Sequence, residues 1–288
     1  MSPSTDHRGG SSAVPSAPLA ALSAVVLAAG KGTRMNSDLP KVVHQAHGQP
    51  MVRWVVDACR AAGAEPVVLV VGHRAEDVKR VFAGDDSDLA WALQLAQRGT
   101  GHAVAQAESA MLAAERAGAI DCLVLYGDGP LIRLATLLTL VERHRASGAA
   151  ATLATAVIDD PTGYGRILRD SAGRFLAIRE QKDASEVERA IREINPGYYC
   201  FRIADLFSAL RRVDSANASG EIYLTDVFEI LLREGRHIEV VAAVPPEDVL
   251  SVNTPEQLGT VSGILERRDA TTSASNSPAT FRAGSVHP

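Results

Sequence analysis

The chain of 288 residues has only three cysteines, Cys59, Cys122 and Cys200. They are far apart and odd in number, which excludes a disulfide framework and the paired spacing of a zinc site. Each lies in an apolar run and reads as a buried core thiol, which fits a reducing cytoplasm. A large excess of either charge is also lacking: 29 Lys and Arg stand against 34 Asp and Glu, a formal net charge of −5. A protein whose main task is coating nucleic acid needs a basic face, and the mild negative charge argues against that class. A single nucleotide needs only two or three well-placed cations. No apolar run is long enough to span a bilayer. Residues 13–29 resemble the apolar part of a signal peptide, but they contain Pro15 and Pro18. They read instead as a tail followed by a first buried strand. His44 and His47 have no carboxylate or cysteine at metal spacing and read as a solvated turn. There is no internal repeat and no heptad run.

What is present is unevenly spread. Residues 1–21 hold 5 Ser, 3 Pro and 2 Gly, and residues 269–288 are similarly rich in Ser, Thr, Pro and Ala. Neither stretch has a hydrophobic period, so both read as disordered tails. The folding unit is then 22–268, large enough to bury about 70% of its unfolded surface.

Within that unit, short apolar runs alternate with helical patterns. Strands are expected at 23–29, 66–72, 89–93 and 122–128. Helices are expected at 50–63, 75–83, 102–118 and 130–148, the last opened by Pro130. Buried, non-alternating strands separated by helices imply a Rossmann-like three-layer α/β/α fold with a mainly parallel mixed sheet. The second half reads as a strand at 149–158, a turn-rich link at 159–165 and a hairpin around Ser171–Gly173. A strand at 194–201, a helix at 222–235 and a strand at 238–244 follow. A closing helix at 254–268 has Thr254 as N-cap and Pro255 at its first position.

The first strand runs into Leu27-Ala28-Ala29-Gly30-Lys31-Gly32-Thr33-Arg34-Met35, followed by Leu39-Pro40-Lys41. Gly30 and Gly32 remove two Cβ atoms where the strand leaves the sheet, so backbone N–H groups can face an anion. Lys31, Arg34 and Lys41 add cations. This is the composition of a polyphosphate cradle at the carboxyl end of a parallel strand. A dinucleotide fingerprint fails because Met35 stands where its third glycine belongs, and no Gly-Lys-Ser/Thr run makes a P-loop. A Gly-x-Gly turn alone can be a plain tight turn; the nearby cations favour phosphate. Asp128 ends a buried strand and is either a helix cap or a metal ligand.

The run Leu27–Met35 with Leu39-Pro40-Lys41 resembles the signature of sugar-nucleotide pyrophosphorylases. Further along come Gln94-x-x-Gln97-x-Gly99-Thr100-Gly101-His102-Ala103, Tyr126-Gly127-Asp128 and Gly163-Tyr164-Gly165-Arg166. Glu180-Gln181-Lys182-Asp183-Ala184, Glu193-Ile194-Asn195-x-Gly197, Gly220-Glu221-x-Tyr223-x-Thr225-Asp226 and Val252-Asn253 follow in order. Over about 24–267 the chain is similar to the uridylyltransferase domain of the bacterial enzymes that make UDP-N-acetylglucosamine. The resemblance implies the nucleotide-diphospho-sugar transferase type of fold, with a small β subregion on the sugar side. It implies Mg²⁺-dependent transfer of UMP from UTP to N-acetylglucosamine 1-phosphate, a cell-wall precursor step, with release of pyrophosphate.

By the same resemblance, Arg34 and Lys41 are the catalytic cations, on the leaving pyrophosphate and the reacting phosphate. Leu27, Ala28, Ala29, Gly30, Gly32 and Thr33 bind nucleotide, and Gln94, Gly99 and Thr100 read the base. Tyr126, Gly127, Gly165, Glu180 and Asn195 bind sugar. Asp128 and Asn253 ligate Mg²⁺. Only 35 residues follow Asn253, without hexapeptide repeats. The expectation is no acetyltransferase activity, no β-helix trimer, and a monomer or weak dimer that binds neither nucleic acid nor membrane. The chain departs from the pattern at Gly129, where an apolar or β-branched residue is usual, and at Pro196, where a small hydroxyl residue is usual. Both lie on the acceptor side. The competing readings are transfer with another nucleotide or sugar phosphate, such as dTTP or glucose 1-phosphate, and a non-catalytic sensor of sugar nucleotides.

Overall fold

A computed structural model describes residues 21–275. In chain order the elements are β1 (Ala21–Ala28), β2 (Gln45–Ala46), β3 (Gln49–Pro50), α1 (Met51–Ala61), β4 (Ala64–Val71), α2 (Ala75–Arg80) and β5 (Leu89–Leu93). They continue with α3 (Thr100–Gln106), α4 (Glu108–Arg116), β6 (Ala119–Tyr126), α5 (Leu134–Ser147), β7 (Ala151–Val157), β8 (Gly165–Arg169) and β9 (Phe175–Arg179). The chain closes with α6 (Glu186–Arg189), β10 (Glu193–Arg202), α7 (Ile203–Leu210), α8 (Asp226–Arg233), β11 (Ile238–Val241) and α9 (Pro255–Ser275).

The main sheet has the order β11-β7-β10-β6-β1-β4-β5, with β8 pairing β10 and β9. β1 is parallel to both β4 and β6, and β4 to β5. β10 runs antiparallel between β6 and β7. This is the expected mixed sheet. Its layers follow from strand alternation. Ala24, Val26 and Ala28 pack with Val52, Val55 and Val56 of α1 on one face. Val25, Leu27 and Ala29 pack with Val104, Met111 and Phe207 on the other, under α3, α4 and α7. A third cluster joins Val261 and Leu265 of α9 to Met35, Ala46 and Leu131 beneath the loop that follows β1. The carboxyl ends of β1 and β6 share one edge of the sheet. Because β10 is reversed, its beginning reaches the same edge.

Several boundaries differ from the sequence expectation, each for a local reason. The helix expected from Pro130 begins at Leu134. Arg133 is extended (φ −107, ψ 140) and its guanidinium bonds Glu247 and Asp248. The helix expected over 102–118 is two helices, because Ala107 N turns to Val104 O at 2.9 Å. The helix expected from 222 begins at Asp226, since 221–224 bond elsewhere: Ile222 N donates to Arg98 O at 2.8 Å and Leu224 N to Thr100 Oγ1 at 3.0 Å. The hairpin β2–β3 and the helices α6 and α7 were not expected. α9 continues past 268 to Ser275, through the start of the segment expected to be a tail, and Asp269 bonds His47. Thus His47 is not simply a solvated turn. The remaining tail residues, 1–20 and 276–288, lie outside the described residues. Among the described residues no helix is long and apolar enough to cross a membrane, and the three cysteines are buried and free.

Candidate active site

At the end of β1 the chain turns through Gly30–Gly32. Gly32 adopts φ +66, and a Cβ there would stand 2.6 Å from Lys41 Cβ. The glycine therefore does two things: it takes a left-handed conformation and lets the loop close onto Lys41. Pro40 (φ −54, ψ 137) then starts the short 3-10 turn Lys41–Val43, which aims Lys41 inward. The Lys41 ammonium is ion-paired with Asp128 and donates to Asn253 Oδ1 at 3.0 Å. Arg34 Nη2 donates to the same oxygen at 2.9 Å. Four residues from three distant segments of the chain thus converge: Arg34, Lys41, Asp128 and Asn253.

Asn253 is placed by the start of α9. Thr254 Oγ1 accepts from Gln257 N at 3.3 Å, while Gln257 Oε1 accepts from Thr254 N at 3.2 Å. This is a reciprocal cap of the Thr-x-x-Gln kind. The same Gln257 oxygen accepts from Asn253 N at 2.7 Å, and Val252 N donates to Asp128 O at 3.0 Å. The expected N-cap Thr254 is present.

Two cavities meet at this cluster. One, of about 330 Å³, is lined by Leu27, Ala29, Gly30, Gln94, Gly99 and Thr100, among others. The other, of about 400 Å³, is lined among others by Arg34, Gly165, Glu180, Asn195 and Asn253. Tyr126 and Asp128 line both. Six of the nucleotide candidates (Leu27, Ala29, Gly30, Gln94, Gly99 and Thr100) line the first cavity, and the sugar candidates Gly165, Glu180 and Asn195 line the second.

In the first cavity, Gln94 is buried and its Nε2 lies 3.2 Å from Gly99 O and 3.0 Å from His102 Nδ1. Gly99 (φ +107) approaches Ile222 so closely that a Cβ would fall 2.5 Å from Ile222 O. Gln97, quoted in the motif without a role, ties the wall to the first turn by donating to Ala29 O at 2.6 Å.

In the second cavity, strand register does the assembly. β8 pairs with β10 so that Gly165 faces Asn195. β9 ends beside it, and a Cβ at Gly165 would lie 3.5 Å from Glu180 Oε1. Asn195 Nδ2 donates to Tyr199 Oη at 2.7 Å and its Oδ1 accepts from Gly197 N at 3.2 Å. Gly197 (φ +91) lies over the Tyr126 ring, where a Cβ would sit well inside contact distance. Glu180 accepts from Thr225 Oγ1 at 3.0 Å. Burial, with Asp183 and Glu221 nearby, raises the Glu180 pKa above its ordinary value. Burial also raises the Tyr126 phenol, and Thr100 and Tyr199 bond it. Asp226, next along, is pushed up to about 6 by burial and by Glu229 and Glu180.

Four candidates do not line either cavity. Ala28 is 1% exposed and packs in the core. Thr33 opens the 3-10 turn Thr33–Met35. Gly32 shapes the loop, as above. Gly127 N donates to Leu27 O at 2.9 Å, which joins the ends of β1 and β6. Conversely, Tyr164, Tyr198, Ser251 and Gln257 line the larger cavity and were not singled out as site residues. Gly163-Tyr164-Gly165 was already a motif, so Tyr164 was within reach of the sequence; Tyr198 hid in an apolar strand. Both departures, Gly129 and Pro196, line the larger cavity. Among the described residues no group of three or more His, Cys, Asp or Glu could hold a metal.

A mixed α/β/α sheet with a glycine-rich cationic turn after its first strand, and a second pocket across Asp128, has the architecture of a nucleotide-binding α/β domain. Residues 24–213 match the MobA-like NTP transferase domain, and the chain belongs to that family. It is 48% identical over 247 residues to the bifunctional protein GlmU of Pelobacter propionicus, covering 86% of this chain and 53% of the relative. It is 49% identical over 248 residues to bifunctional protein GlmU of Pelotomaculum thermopropionicum, covering 86% and 52%. The chain thus spans about half the length of the curated relatives it matches. Among solved structures, a UDP-glucose pyrophosphorylase complexed with UDP-glucose superposes with a TM-score of 0.69 at 16% identity, covering 86% of this chain and 99% of that one. That likeness establishes the fold.

Proposed function

We propose that this domain transfers UMP from UTP to N-acetylglucosamine 1-phosphate and releases pyrophosphate. The observation that carries the reading is the junction of two cavities at Asp128, with Lys41 and Arg34 beside it. The near half-identity to GlmU proteins supports the choice of substrates.

The nucleophile is a phosphate oxygen, already anionic, so the site needs no strong base. It needs alignment and neutralisation of crowded charge. The first cavity holds the nucleoside: with its Nε2 held by Gly99 O and His102, Gln94 offers its amide oxygen to a base N–H. Gly30 and the loop after β1 bring backbone N–H groups and Arg34 to the pyrophosphate end. The second cavity holds the sugar between Gly165, Glu180 and Asn195, its 1-phosphate pointing to Asp128. Lys41 stands at the junction and neutralises the phosphate that is attacked.

A divalent cation fits the same junction. Asp128 and Asn253 present one carboxylate and one amide oxygen that already converge on a cationic group, the Lys41 ammonium. Two hard oxygens with the remaining ligands from phosphates and water suit Mg²⁺. Bound there, it would neutralise phosphate charge. Nucleotide and sugar-phosphate substrates, together with three unpaired thiols, fit a cytoplasmic setting.

The test is a matrix of nucleoside triphosphates against sugar 1-phosphates, read as pyrophosphate release with Mg²⁺. UTP with N-acetylglucosamine 1-phosphate should give the highest kcat/KM. Higher values for glucose 1-phosphate or dTTP would replace the substrate assignment. Tight binding of UDP-sugar with no turnover of any acceptor would replace catalysis by sensing.

A further inference from the structure

Segment 245–253, within the link from β11 to α9, delivers Asn253 to the junction. It is pinned near its start. Asp248 is 1% exposed, at the end of the 3-10 turn Pro246–Asp248. Its carboxylate is paired with two arginines from different elements: Arg133, just before α5 (Nη2 to Oδ1, 3.0 Å), and Arg268 in α9. Arg268 also donates to Leu131 O at 2.8 Å. A carboxylate this deeply buried is tolerated only with such partners.

The backbone around the pin is held from the cavity side. Tyr198 Oη donates to Asp248 O at 3.2 Å and Tyr164 Oη to Val249 O at 3.2 Å. Both tyrosines line the larger cavity. Beyond them, Val252 N–H is bonded to Asp128 O and Asn253 N–H to Gln257. Only four residues separate the pinned Asp248 from Asn253. A displacement at the pin therefore reaches the Asn253 amide, whose oxygen shares the Lys41 ammonium with Asp128.

We propose that Asp248 is a positioning residue for Asn253: clamped between Arg133 and Arg268, it fixes the strap that carries the cation-ligating amide to Asp128. The proposal rests on the reading of Asp128 and Asn253 given above. It explains why a residue that touches neither cavity is a fully buried acid with two arginine partners, and why the helix expected from Pro130 gives up its first turn to let Arg133 reach it.

The experiment compares wild type with Asp248→Asn by amide hydrogen exchange without substrates and by Mg²⁺ titration of pyrophosphate release. The variant should exchange the Val252 amide at least tenfold faster while β6 amides keep their protection. Its half-saturating Mg²⁺ should rise at least fivefold, with the loss of rate shrinking as Mg²⁺ saturates. Arg268→Gln leaves the Arg133 arm in place and should move both readouts the same way by a smaller factor; it decides the matter if Asp248→Asn does not fold. Unchanged Val252 exchange in a folded variant overturns the proposal. Faster exchange with unchanged half-saturating Mg²⁺ overturns it too. If wild type releases no pyrophosphate, the functional reading fails, and the exchange measurement still decides whether Asp248 holds the strap.

Discussion

Replacing Asp128 by Asn removes one charge and almost no volume. In the folded protein the carboxylate's partner is Lys41, and both side chains are about one-sixth exposed (15% and 16%). Lys41 does not lose every partner in the variant, because Asn253 Oδ1 still accepts from it at 3.0 Å. An ion pair at that depth contributes on the order of 1 kcal/mol, and a polar amide remains in its place. For a domain of this size that corresponds to a shift of roughly 2–4 °C in Tm. Turnover should respond on another scale. Among the described residues, Asp128 supplies the one carboxylate that lines both cavities. Losing a group that organises charge in the transition state costs about 3–4 kcal/mol, or 10²–10³ in kcat. The assay is a continuous pyrophosphate-release measurement across a Mg²⁺ titration, paired with thermal unfolding of the same preparations. Turnover within threefold of wild type would remove Asp128 from the reaction. A fall in Tm of more than about 10 °C would show that its role is structural.

Gly197→Ala puts a methyl into the Tyr126 ring at φ +91. Strain and overpacking together should cost about 2–4 kcal/mol and raise the acceptor KM, checked by chemical unfolding and kinetics. Glu180→Gln should lower acceptor kcat/KM at pH 8 by 10–100-fold. Because the Glu180 carboxyl is held above its ordinary range by burial, the wild-type-to-variant ratio should narrow as pH falls toward that raised value; a ratio flat with pH would contradict an ionised role. Asp226 titrates near 6 when folded and near 3.8 otherwise. The folded state then holds the extra proton between about pH 4 and 6, so stability falls as pH rises through that window. Two units correspond to about 3 kcal/mol, which partial exposure reduces to roughly 1. Asp226→Asn should therefore be more stable than wild type above pH 6 and equal to it below about pH 4, by thermal unfolding across pH.

The parallel half of the sheet was legible because β1, β4 and β6 are buried on both faces and carry unbroken apolar runs. The cationic turn was legible because Gly30, Lys31, Gly32 and Arg34 lie within a few residues. What the sequence concealed is contact between distant segments. The Ile222 region gives up helix to bond Arg98 and Thr100, and Arg133 leaves α5 to pair with Asp248. Neither leaves a local periodic signal. Tyr198 reads as one more apolar strand residue until register places it on the cavity wall. Gly127 carries a motif position, yet its place is a backbone bond between two strand ends. Resemblance named the candidate residues; only the folded structure puts Gly165, Glu180 and Asn195 along one cavity and Asp128 on the lining of two.

The most direct measurement of the central claim is pyrophosphate release by the purified chain with UTP, N-acetylglucosamine 1-phosphate and Mg²⁺, set against the same mixture with Lys41→Ala. The wild type should turn over and the variant should lose at least 10²-fold, with UDP-N-acetylglucosamine as the second product. Absence of product with this acceptor, or equal rates for the two proteins, would contradict that claim.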